Sequence, residues 1–250
     1  MANLKEIRTR IASVNSTMQI TSAMKMVSAA KLRKAQDAIV QLRPYAGKLS
    51  EILSDISGSL DTSEGWFSEE REVKNVLIVP IVSNRGLCGA FNSSVIKKVE
   101  QLIKAEFADK NVTILPAGKK ADDHFKSTSY YIKGVNLPRH MNEIWDDLTF
   151  DNVANKAEKL ITVFANGEFD KVLLVYNRFK NAAVHLLTVE QFLPVLPAEP
   201  VEKLKSAGKS ANDYIYEPAR TEILSDLVPR SLRTQFYKAF LDSRAAEHGA

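Results

Sequence analysis

The residues with the most chemical promise form one short run, Ser83-Asn-Arg-Gly-Leu-Cys-Gly-Ala-Phe-Asn92, placed between a strand-like and a helix-like segment. Glycines at such a junction let backbone N–H groups approach an anion, so a phosphate cradle is the first chemistry to test. The stricter patterns are missing. No GxxxxGK[ST] is present, Gly86 and Gly89 give GxxG instead of GxGxxG, and the next strand-like run, Val112 to Leu115, leads into Pro116 with no acid. The preferred reading is a tight strand-to-helix turn whose glycines permit backbone contact. A nucleotide-binding α/β enzyme using turn 83–92 is the alternative.

Cys88 could act as a nucleophile only with a base beside it. His124, His140, His185 and His248 are scattered and follow no metal-ligand spacing. Asp122/Asp123 and Asp146/Asp147 are adjacent pairs, which point different ways on a helix and so do not form a shared acid–base site. GxSxG and HExxH are absent. The sequence therefore predicts no catalytic, cofactor or metal site.

The elements around this run explain more than the run itself. From about Asn3 to Gly58 the chain is rich in good helix formers, with one proline, Pro44, which can kink a helix without ending it. Apolar residues recur at Leu4, Ile7, Ile11, Val14 and Met18, and again at Leu32, Ala35, Ile39 and Leu42. Alternating steps of three and four are a coiled-coil seam. Between these runs the bulky residues shift to Ile20, Met24 and Val27, which suggests one helical partner plus a second surface around it. At 1.5 Å per residue the helix would be about 80 Å long.

Residues 59–72 are polar and turn-rich and read as a linker in which Trp66 and Phe67 pack against something. Residues 73–200 switch period. Strands are expected at Val76–Val82, Val112–Leu115, Tyr130–Ile132, Lys171–Tyr176 and Val184–Phe192. Helices are expected from a cap at Asn92 or Ser93 to Phe107, over Lys119–Phe125 and over Asn152–Asn166. This alternation implies an α/β layer, partly parallel, closing with an antiparallel hairpin around Asn181. Residues 201–217 form a polar foot segment. A helix starts near Pro218, a first-turn proline, and carries Leu232, Phe236, Phe240 and Leu241 to the end at Ala250. The fold class expected is α/β: an antiparallel coiled coil of the terminal helices with an α/β domain inserted between them.

Charge and composition narrow the function. The 250 residues are 45% hydrophobic and carry a net charge of +4. Met1 to Arg43 holds eight basic residues (Lys5, Arg8, Arg10, Lys25, Lys31, Arg33, Lys34 and Arg43) against Glu6 and Asp37, a balance of +6 that predicts an acidic partner. That segment contains no aromatic residue on which bases could stack, so nucleic acid is not the expected partner. The longest apolar run, Val76 to Val82, is far short of the roughly 20 residues a membrane span needs. The N-terminus resembles neither a secretory signal nor a transit peptide, and the single cysteine precludes an internal disulfide. An intracellular protein is expected.

Three stretches then carry a family resemblance. Ile7 to Gln36 (IRTRIASVNSTMQITSAMKMVSAAKLRKAQ) closely resembles the N-terminal helix of F-type ATP synthase gamma subunits. SNRGLCGAFN is similar to the loop that opens their Rossmann-like domain, with Asn84 and Ala90 at positions that vary. Asp213 to Pro218 (DYIYEP) and Leu227 to Ala250 resemble their foot and lower C-terminal helix, with Pro229 where some members lack proline. The family helix continues for roughly 40 residues beyond Glu247-His-Gly, about 60 Å of rod at helical rise, so a truncated or shortened chain is expected. The resemblance implies a non-catalytic rotor shaft inside a ring of alpha and beta subunits, with a foot on the epsilon subunit and the membrane c-ring. It also implies peripheral attachment at the cytoplasmic face of a bacterial membrane, without insertion. Met24 and Lys25 match the contact with the beta lever, and Lys31, Arg33 and Lys34 would face its acids. Tyr214, Tyr216 and Glu217 match the foot. With the arms antiparallel, residue 250 falls opposite roughly residue 26, leaving the Leu4–Met18 seam without an intramolecular partner.

Overall fold

The computed structural model describes residues 3–57, 71–132, 136–195 and 220–250. Helix α1 runs unbroken over Leu4–Ser57, through Pro44. Then follow β1 (Asn75–Pro80), α2 (Phe91–Ala105), β2 (Asn111–Ile114), α3 (Lys119–Phe125), a 3-10 turn at Met141–Trp145, α4 (Phe150–Ala165), β3 (Lys171–Asn181), β4 (Val184–Leu193) and α5 (Arg220–Gly249). The expected linker 59–72 (all but Arg71 and Glu72), the foot and Pro218 lie outside the described residues.

The sheet has strand order β2-β1-β3-β4. β1 pairs parallel with both β2 and β3, and β3 pairs antiparallel with β4, as the hairpin reading expects. β1 is covered on both faces, which is why it reads as an unbroken apolar run. Val76, Ile78 and Val82 pack with Val95, Val99 and Phe125 of α2 and α3. Leu77, Val79 and Ile81 face the opposite way, into a core shared with α4 and α5.

The arrangement of α5 accounts for how the terminal helices are joined to the sheet. Leu232, Phe236, Ala239 and Phe240 belong to the sheet core. Rings run from Phe192 to Phe236 (5.5 Å), Phe236 to Phe240 (5.2 Å) and Phe240 to Trp145 (5.6 Å). The other side of the same helix offers Tyr237, Leu241 and Ala245 to Leu32, Ala35, Ile39 and Leu42 of α1. The coiled coil therefore exists as expected, but one arm is also a core element of the α/β domain. A buried aromatic contributes on the order of 2–3 kcal/mol, so Phe236 and Phe240, both fully buried, fix α5 to the sheet firmly.

Two sequence expectations are corrected. Tyr130–Ile132 is no strand: it makes only an isolated bridge from Tyr131 to Ile114, because the Tyr131 hydroxyl is drawn to the Asp122 carboxylate at 2.6 Å. That bond and the neighbouring charge push the Tyr131 phenol up to about 12. Neither Asn92 nor Ser93 caps α2. The helix starts one residue earlier, behind Ala90, with no side-chain cap.

Candidate functional site

Turn 83–92 leaves β1 and enters α2, and its Ser83, Asn84 and Asn92 side chains are used within the protein. Asn92 is the hub. Its Oδ1 accepts the Ser83 N–H at 2.9 Å, and its Nδ2 donates to the Arg85 carbonyl at 3.1 Å and lies 3.0 Å from Cys88 Sγ. That role is why Asn92 does not cap the helix. The Ser83 hydroxyl also donates to the Arg85 carbonyl at 2.6 Å. Asn84 ties the turn to its neighbours, accepting the Lys119 N–H at 2.9 Å and donating to the Asn142 carbonyl at 2.9 Å. Cys88 is buried with Phe91 and Ala246, and no histidine or carboxylate hydrogen-bonds to it. Cys88 and Phe91 pack the turn against Ala246 of α5, and its glycine spacing is not that of a phosphate cradle.

The glycines divide differently from the sequence reading. Gly89 adopts φ +53° with nothing within 4 Å of a would-be Cβ, so it serves conformation and not close approach. Gly86 meets only the Lys120 side chain at 3.9 Å. The close approach occurs at Gly118, where a Cβ would lie 2.0 Å from the Val82 carbonyl oxygen at φ +139°. The sequence signal for it was a glycine between an apolar strand and a helix start.

The turn and α5 are tied to the ends of the two central strands. Asn177 of β3 donates to the Phe91 carbonyl at 2.9 Å, and Ser243 of α5 donates to the Ile81 carbonyl at 3.4 Å. Arg244 donates to the Trp145 carbonyl at 2.6 Å, while the Trp145 indole donates to Ala117 at 3.2 Å. Lys31, Arg85, Arg244, Glu247 and His248 gather around a small cavity of about 50 Å³. Burial, helped by those three cations, drives the His248 imidazole down to about 4, and burial raises the Glu247 carboxyl above its ordinary value. Sequence reasoning missed this joint because its members come from α1, the turn, the 3-10 turn and α5.

Residues 4–27 of α1 are bare. Leu4 is 72% exposed and Met18 62%, with Ile7, Ile11, Val14, Ile20, Met24 and Val27 also exposed. Thr9, Ser16, Thr17 and Thr21 satisfy their hydroxyls by bonding back to carbonyls three or four residues earlier. The bare segment presents apolar side chains and cations to the outside. Met24, Lys25, Arg33 and Lys34 stand exposed on α1; Lys31 is half-buried at the joint. Lys34 borders a groove that also contains Asp146 and Asp147. Tyr214, Tyr216 and Glu217 lie outside the described residues. Among the described residues no cluster suited to a metal exists, and no helix is long and apolar enough to cross a membrane.

A helical rod fixed through one arm to a small α/β layer is a stalk, and comparisons with known proteins give the same class. A family model described as ATP synthase matches residues 3–250. The ATP synthase gamma chain of Flavobacterium johnsoniae is 54% identical over all of this chain and 84% of its own length. That of Christiangramia forsetii is 52% identical with the same coverage. The chain belongs to the ATP synthase gamma-chain family. Among solved structures, a chain of the Tetrahymena thermophila mitochondrial ATP synthase central stalk and c-ring shares the fold, with TM-score 0.61, 24% identity and coverage of 92% of this chain and 95% of that one. A chain of the Euglena gracilis mitochondrial ATP synthase rotor gives TM-score 0.59 at 22% identity, covering 97% and 85%.

Proposed function

We propose that this chain is the rotating shaft of an F-type ATP synthase central stalk. It would transmit c-ring rotation to the catalytic beta subunits while performing no chemistry itself. The observation that carries the reading is the division of α1. Residues 32–42 are zipped to an α5 that is part of the sheet core, whereas residues 4–27 display apolar and basic side chains uncovered. Exposed apolar surface of that extent marks a contact with another protein. A rod clamped at one end and bare at the other suits a shaft that turns inside a sleeve.

In this reading the sleeve is the alpha–beta ring, and Met24, Lys25, Arg33 and Lys34 meet acidic beta surface. Lys31 contributes to the same positive field from the joint. The foot, residues 201–217 with Tyr214, Tyr216 and Glu217, rests on the epsilon subunit and c-ring. The shaft arms are 1–58 and 218–250 around the inserted unit 73–200, with 59–72 as linker. The protein would be peripheral, at the cytoplasmic face of the bacterial membrane.

The test is single-molecule rotation. Alpha and beta subunits are assembled with this chain, a bead is fixed to the 73–200 unit, and ATP is added. Directional, ATP-dependent rotation is expected. A complex that hydrolyses ATP while the bead stays fixed relative to the ring would refute the shaft reading.

A further inference from the structure

A large cavity lies away from the turn and the joint. It is a groove of about 690 Å³ between α1, the end of the β3–β4 hairpin and α5. Ile39 and Leu42 of α1 with Phe179 and Leu186 of the hairpin give it an apolar lining. Arg43, Arg178, Lys180 and Lys238 ring it with positive charge, and none of the four forms a hydrogen bond or close ion pair among the described residues. One carboxylate opens into the same space. Asp242 is only 4% exposed and has no hydrogen-bond partner among the described residues.

Two further features bear on what fits. Gly47 sits inside α1 on the groove wall beside Ala46, with nothing within 4 Å of a would-be Cβ. A mid-helix glycine costs about 1 kcal/mol relative to alanine, and here it keeps the wall low enough for another backbone to approach. The groove also opens beside β4, an edge strand with Val184, Leu187 and Val189 exposed.

We propose that this groove is a docking site for an acidic amphipathic peptide segment of a partner protein. Its apolar side chains would enter over Gly47 and Ala46, and its carboxylates would pair with Arg43, Arg178, Lys180 and Lys238. Asp242 decides between a peptide and an anionic lipid. A hydrogen-bond donor from the occupant would satisfy its carboxylate; an extended peptide backbone supplies one and a fatty-acid chain lacks it. The proposal does not depend on rotation, because every lining residue named belongs to this chain.

The experiment is fluorescence anisotropy on the 250-residue chain with a labelled extended peptide of alternating glutamate and leucine; the lysine–leucine counterpart and oleate serve as comparison ligands. The acidic peptide is expected to bind with Kd on the order of 10 µM. Gly47→Trp places a large side chain in the groove from a position where a Cβ has open space and leaves every charged residue in place; it weakens binding at least about tenfold while the melting curve is kept. The double variant R178E/K180E has a similar effect. Unchanged binding to Gly47→Trp would mean that the peptide sits on other basic surface such as the start of α1, and would overturn the proposal. Displacement of the peptide by stoichiometric oleate, or no binding at all, would overturn it too.

Discussion

Replacing Asp242 by asparagine keeps the shape of the side chain and removes its charge. Burial pushes the carboxyl from 3.8 up to about 6, against the pull of Lys238 and Arg43 on the helices and Arg178 on β3, with Glu190 on β4 adding to the rise. A carboxyl whose folded value is raised binds its proton more tightly when folded. Its contribution is therefore most favourable at low pH, declines as pH climbs from about 4 to about 6, and is flat above that. Integrated over that shift, the charge costs the fold about 2–3 kcal/mol at pH 7.5 relative to pH 4. The asparagine amide has its own burial cost of about 1–3 kcal/mol, but it does not vary with pH and cancels from the comparison. Urea unfolding of both proteins, followed by Trp145 fluorescence at pH 4 and pH 7.5, gives the difference directly. The stability of Asp242→Asn relative to the native chain should improve by about 2–3 kcal/mol between the two. A difference that stays the same at both pH values would refute the claim that Asp242 is an ionised, poorly compensated group in the fold.

Other consequences can be checked alongside. His248 titrates in the opposite sense: its folded value lies near 4 instead of 6.5, so the stability it confers above pH 6.5 is lost as pH falls through 4. His248→Gln should therefore remove part of the acid sensitivity, seen as a smaller drop in melting temperature between pH 7 and pH 4.5. Gly118→Ala should destabilise by about 3 kcal/mol or more, or prevent folding, since its Cβ would overlap the Val82 carbonyl. Gly89→Ala should cost only about 1 kcal/mol, for its φ alone. Calorimetry with ATP on the lone chain should give no micromolar binding, because turn 83–92 carries neither the P-loop nor the GxGxxG pattern; a Kd in that range would restore the nucleotide-site reading.

Much of this architecture is legible in the sequence because it is written in local periodicity. The Leu32–Leu42 seam, the strands at Val76 and Val112 and the hairpin around Asn181 each follow from spacing a few residues long. What was hidden depends on contacts between distant segments. Asn92 looks like a helix cap until Ser83 and Arg85 are seen to claim its amide. Tyr131 reads as strand until Asp122, a helix away, claims its hydroxyl. Phe236 and Phe240 look like coiled-coil residues, yet they face the sheet while Tyr237 and Leu241 face α1. A helix stripe wide enough to serve two partners does not say which side each one takes.

The central claim is that α1 is two things: a clamped rod over residues 32–42 and a bare bearing surface over residues 4–18. Amide hydrogen exchange on the lone chain, and again after assembly with alpha and beta subunits, tests it directly. Residues 32–42 should be protected in both states, and residues 4–18 should exchange fast alone and slowly in the assembly. Equal exchange of residues 4–18 in the two states would contradict the account.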